Sequence, residues 1–139
     1  MNRTILFAGT LLGMLAIILG AFGAHGLEKL VDAEAIDTFE TGVKYQMYHA
    51  LFFLFLGLWG GIAVKTKKMV FILVLLGIVL FSFSIYLLGL NSLTSFDFTI
   101  IGFLTPIGGV FLIMGWIYLG YHILTQKELD SAGFQMTKS

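Results

Sequence analysis

The chain has 139 residues, 58% of them hydrophobic and only 12% charged, and its formal net charge at pH 7 is zero. A soluble domain carries about 25% charged residues, so this chain has too little polar surface to face water on every side, and lipid is its natural solvent. The neutral balance gives no footing for nucleic acid, and the absence of cysteine excludes disulfides, thiolate metal sites and cysteine nucleophiles.

Residues 5–24, ILFAGTLLGMLAIILGAFGA, form the first apolar stretch. It reaches the ~20 residues that a helix needs to cross a ~30 Å hydrocarbon core and is too long for the core of a signal peptide. Gly9, Gly13, Ala16, Gly20 and Ala24 recur along it at steps of four and three, a spacing that lets membrane helices approach closely. Residues 27–42 follow, with Glu28, Asp32, Glu34, Asp37 and Glu40 set against Leu27, Leu30, Val31, Ala35 and Phe39 at helical spacing. This pattern predicts a short amphipathic helix on the outer surface, its acidic side in water.

Three further apolar stretches cover residues 45–64, 69–90 and 99–121. Gly57 and Gly61 make a GxxxG step in the second, and Gly102, Thr105 and Gly109 share a face of the fourth. Pro106 falls inside the fourth and would leave the Gly102 carbonyl without its helical donor. No stretch alternates with period two, which argues against strands. The expected fold is all-α: one integral membrane domain over 1–139, with four transmembrane helices in a bundle and a short amphipathic outer helix.

Lys and Arg set orientation. Four spans place Arg3, Lys65, Lys67, Lys68, Lys127 and Lys138 on one side and only Lys29 and Lys44 on the other. Both termini are therefore expected in the cytoplasm. With that orientation, His25, Tyr45, Gln46, His49, Ser82, Ser84, Tyr86 and Thr105 all fall in the outer half of the spans. One reading is a shared, outward-facing polar pocket; the other is interface anchoring and self-bonding of separate side chains. His25 and His49 lack the close ligand spacing of a metal site, so no metal and no cofactor are expected. The signatures HExxH, GxSxG and GxxxxGK[ST] are missing, and the chain is read as a non-enzyme.

The segments GAFGAHGL (20–27), FETGVKYQMYHAL (39–51), FSFSIYLL (81–88) and TPIGG (105–109) resemble, in the same order, the bacterial family called domain of unknown function four-two-three. The usual pattern FSGS has glycine where this chain has Phe83. The resemblance implies a small four-helix protein of the bacterial plasma membrane and no particular activity. It picks out Gly23, His25, Gly42, Tyr45, Gln46, His49, Ser82, Ser84, Tyr86, Thr105, Pro106 and Gly109. The leading expectation is a pocket at His25, Tyr45, Gln46, His49, Ser82, Tyr86 and Thr105 for a small ligand, an ion or a lipid head group. The alternative is an accessory or assembly subunit of a larger membrane complex. Gly9, Gly13, Gly57, Gly61, Gly102 and Gly109 would then pack helices within the chain or against a second copy or another membrane protein. Membrane lipid is the remaining partner.

Overall fold

A computed structural model describes residues 2–125; Lys127 and Lys138, two of the residues behind the expected orientation, lie outside them. Helix α1 runs Asn2–His25, and α2 runs Ala33–Leu58 after a 3-10 turn at Leu27–Lys29. Helix α3 (Val64–Ile78), a π-helical turn (Val79–Phe83) and α4 (Ser84–Gly89) form one rod. Two 3-10 turns, Asn91–Leu93 and Phe98–Ile101, lead to α5, Leu104–Thr125. The described residues contain no strand. Glycine-rich segments stay helical here because a backbone in hydrocarbon has no solvent partner other than itself.

Three helical segments, Asn2–Lys29, Val64–Gly89 and Phe98–Thr125, are long and apolar enough to cross a membrane. Helix α2 is as long, with 26 residues, but Glu34, Asp37, Glu40 and Lys44 occupy its N-terminal half and Gln46 and His49 follow near its middle. It lies antiparallel along the whole of α1. A Cβ placed on Gly57 would lie 2.7 Å from Leu6 Cγ, one on Gly9 2.9 Å from the Ala50 carbonyl, and one on Gly23 3.1 Å from the Phe39 ring. On the other flank α5 packs on the rod: a Cβ on Gly77 would lie 2.7 Å from Leu112 Cγ, and one on Gly115 2.5 Å from Val74 Cγ2.

The amphipathic outer helix is not a separate element. Asp32 caps α2 by accepting from the Ala35 amide at 2.8 Å, and the helix then continues through residues 33–42 into the apolar half. Gly42 does not break it. That position sits under the Tyr86 ring, where a Cβ would come within 2.7 Å of Cε1. The second apolar stretch is shorter than 45–64, because α2 stops at Leu58; Gly61 lies in the following turn and makes no helical GxxxG face with Gly57. The fourth helix begins at Leu104, so Pro106 stands in its first turn, where the missing N–H costs no helical bond. Gly102 precedes the helix, next to its own 3-10 turn, and takes no part in helix packing.

Two apolar clusters form the core. The larger joins Phe53, Phe71, Val74, Ile78 and Leu112 around the lower halves of the helices. The smaller joins Leu27, Phe39 and Tyr86 near the acidic end.

Candidate functional site

The buried polar side chains gather between these two clusters. Gln46, fully buried on α2, donates from Nε2 to the Leu12 carbonyl of α1 at 2.8 Å. Its Oε1 accepts from the Tyr86 hydroxyl of α4 at 2.6 Å. Ser82 donates to the Gly42 carbonyl at 2.9 Å. Three helical segments are thus joined in one layer. Leu12 is about midway along α1 (Asn2–His25), so the layer lies at mid-bundle, at the inner limit of the outer half where the sequence reading put it.

The π-turn has its own partner. Gly108 of α5 lies against its backbone, where a Cβ would come within 2.7 Å of the Leu80 carbonyl carbon and 2.8 Å of Phe81 Cα. The Ser84 hydroxyl bonds the Phe81 carbonyl at 2.9 Å and meets the Thr105 hydroxyl at 2.7 Å. A π-turn disturbs the helical bonding ladder, and Ser84 and Thr105 restore partners there. Gly108, rather than Gly109, makes the close approach; a Cβ on Gly109 would have ordinary contact, 3.8 Å, with the Phe81 ring. Phe83, where the family pattern has glycine, is 37% exposed and leaves the contact with α5 undisturbed.

His49 behaves differently from the expectation. Its Nε2 lies 3.1 Å from Trp116 Nε1 of α5, and its Nδ1 lies 2.7 Å from the Tyr45 carbonyl. An indole N–H can only donate, so Nε2 is the acceptor. The ring proton is then on Nδ1 and goes to the carbonyl: both nitrogens are used, in a neutral imidazole. Tyr45 is 42% exposed beside Phe81, ring centroids 4.9 Å apart. His25 ends α1 on the exposed surface. Ala50 lies level with Gly13, so His25 stands roughly 18 Å further along α1 at the helical rise and does not meet His49. No group of three or more His, Cys, Asp or Glu able to hold a metal occurs among the described residues.

The seven expected site residues therefore divide. Gln46, Tyr86 and Ser82 join one layer, Thr105 pairs with Ser84, His49 turns to Trp116 and shares a groove with Tyr45, and His25 stands apart. Trp116 was missed by sequence reasoning. Its signal was present: an indole N–H in the middle of an apolar span needs an acceptor, and a histidine on a neighbouring span can supply one.

Residues 19–109 match the family described as "Protein of unknown function (DUF423)". The chain belongs to this family. A UPF0382 membrane protein of Staphylococcus saprophyticus is 41% identical over 84% of this chain and 93% of its own length. A UPF0382 membrane protein of Haemophilus influenzae is 36% identical over 84% of this chain and 90% of its own length. The UPF0382 inner membrane protein YgdD of Escherichia coli is 35% identical over 83% of this chain and 85% of its own length. No solved structure matches. This DUF423 chain is a helical membrane protein, and the family match spans the Gln46, Ser82 and Thr105 positions. Leu12 lies outside it but contributes only a backbone carbonyl to the layer.

The open space of the DUF423 fold lies beside the polar layer: an apolar groove of about 470 Å³ between α1 and α2, at Gly13, Ile17, Met47 and Leu54, and further space between α2 and α5. Helices α2 and α5 meet through Trp116, which contacts His49 and lies 4.6 Å from the Phe52 ring. A groove of about 460 Å³ between Tyr48, Phe55, Trp59, Trp116 and Ile123 opens on one side of Trp116. One of about 290 Å³ between Tyr45, His49, Phe81, Gly109 and Trp116 opens on the other.

Proposed function

We propose that the protein is a non-enzymatic, four-span protein of the bacterial inner membrane that binds a lipid chain sideways, in the groove between α2 and α5. The fourth span is α2. Its antiparallel packing along the full length of α1 supports a crossing of the same bilayer, with its polar residues sheltered by neighbours. The excess of Lys and Arg at the α2–α3 turn and at Arg3 supports that end as the cytoplasmic one.

One observation carries the functional reading. Gln46, Tyr86, Ser82, Ser84, Thr105 and His49 each have a protein partner, whereas the groove of about 460 Å³ between α2 and α5 is bounded by aromatic and aliphatic side chains. An outward-facing polar pocket would need some of those polar groups for its ligand. The lateral groove needs none of them.

Every membrane protein touches lipid, so the test must separate the groove from the general lipid surface. A phospholipid with a photoreactive acyl chain is expected to label Phe55 and Ile123 well above Phe7 and Leu11, which are exposed on α1 and line no groove. Uniform labelling of all four positions would refute the reading. The second reading, an accessory subunit, is favoured by the apolar α1–α2 face, where a Cβ on Gly13 would lie a relaxed 3.7 Å from Ala50 Cβ. Purification in mild detergent tests it: a partner protein held at fixed stoichiometry supports it, and a lone chain opposes it.

A further inference from the structure

Resting on the lateral-groove reading, we propose that the groove running between Tyr48 and Trp59 holds one acyl chain of an anionic phospholipid from the leaflet on the lysine side, with its phosphate drawn to the basic residues at that end of the bundle.

The groove has the length of a leaflet. From Tyr48 to Trp59 it follows α2 for ~16 Å at the helical rise, and half of a ~30 Å hydrocarbon core is ~15 Å. On α5 it runs from Ile123, close to the helix end at Thr125, up to Trp116. There the Trp116–His49 bond closes it near mid-bundle. A partner's transmembrane helix would run past that stop and would need a channel ~10 Å wide. A single chain ends where the groove ends.

The charge of the two ends chooses the head group. The mouth is at the end of the bundle that carries Arg3, Lys65, Lys67 and Lys68. All the acidic side chains among the described residues, from Glu28 to Glu40 and Asp97, stand at the opposite end. Lys67 is buried and occupied, donating to Asn2 Oδ1 at 3.1 Å. Lys65 and Lys68 are exposed. Lysines near a membrane surface attract anionic lipid, and basic sites beside transmembrane helices bind such head groups.

The test is a native mass spectrometry titration of the full chain in micelles with dioleoyl phosphatidylglycerol and, separately, dioleoyl phosphatidylethanolamine. One equivalent of phosphatidylglycerol is expected to bind, more tightly than phosphatidylethanolamine. Lys65→Gln with Lys68→Gln is expected to weaken phosphatidylglycerol on the order of twentyfold and to leave phosphatidylethanolamine unchanged. Gly120→Trp is expected to block both lipids; Gly120 lines the groove, and a Cβ there meets nothing within 4 Å. Equal binding of the two lipids, unmoved by the lysine variant but lost with Gly120→Trp, would overturn the head-group inference and leave the lateral groove standing. If neither lipid binds, or if binding ignores Gly120→Trp, both fall. A discrete dimer in place of a lipid adduct would also overturn both.

Discussion

Tyr86→Phe removes one oxygen from the centre of the bundle. The ring keeps its place on Phe39, with centroids 5.0 Å apart, so the change is confined to the hydroxyl. Gln46 has 0% of its surface exposed, and its Oε1 loses a donor at 2.6 Å. A buried acceptor left without a partner costs about 1–3 kcal/mol. Hydrogen bonds between membrane helices average about 0.6 kcal/mol and reach about 1.7 in double-mutant cycles. The charge-free, fully buried pair here belongs in the upper part of that range, and a loss of ~1–2 kcal/mol is expected. Gln46→Met is expected to cost more, because it also releases the tether to the Leu12 carbonyl. The double variant should lose less than the sum of the two, by ~1 kcal/mol. Reversible unfolding by SDS titration in micelles, followed by tryptophan fluorescence, measures all three. Strict additivity of the two single losses would refute the reasoning, since two residues that share one bond cannot act independently.

Gly108→Ala is expected to destabilise the bundle by about 1–3 kcal/mol, because its Cβ meets the backbone of Leu80 and Phe81; Gly109→Ala, with its nearest contact at 3.8 Å, should be nearly neutral in the same unfolding assay. His49→Phe is expected to cost about 1 kcal/mol and to shift the indole N–H resonance of Trp116, its bond donor, whereas His25→Phe should move neither. The Asp97 carboxyl is held below its usual range by hydrogen bonds from the Thr99 side chain and backbone. Its support for the Phe98–Ile101 turn should therefore be complete above the ordinary carboxylate pKa and lost as pH falls through its lowered value. Hydrogen exchange at the Thr99 amide, corrected for intrinsic pH dependence, should show protection fading only in acid, and Asp97→Asn should flatten that profile.

Much of the helical content was legible because apolar runs of span length leave the backbone no alternative partner. The ends were less so. Residues 27–42 carry an amphipathic period, and that period cannot tell a separate surface helix from the first turns of a longer one. The helix runs unbroken through Gly42, whose missing side chain makes room for the Tyr86 ring. Pro106 misled, since a proline in an apolar run looks internal until the helix start at Leu104 is known. The polar residues themselves were identifiable: Gln46, Ser82, Tyr86 and Thr105 are costly in lipid and must be satisfied. Their pairing was not, because it depends on helix rotation and on an extra residue in the π-turn. Period-based reasoning grouped Gly102, Thr105 and Gly109 on one face; the rod meets α5 at Thr105, Gly108, Leu112 and Gly115, with no close approach at Gly102 or Gly109.

The most direct test of the account is a high-resolution structure of the full chain in a lipid bilayer. It is expected to show a single acyl chain running from beside Trp59 to Trp116, with the Gln46–Tyr86 and Ser84–Thr105 pairs bonded to one another. A polar ligand bonded to Gln46, Tyr86 or Thr105, or an α2–α5 groove closed by its own side chains, would contradict it.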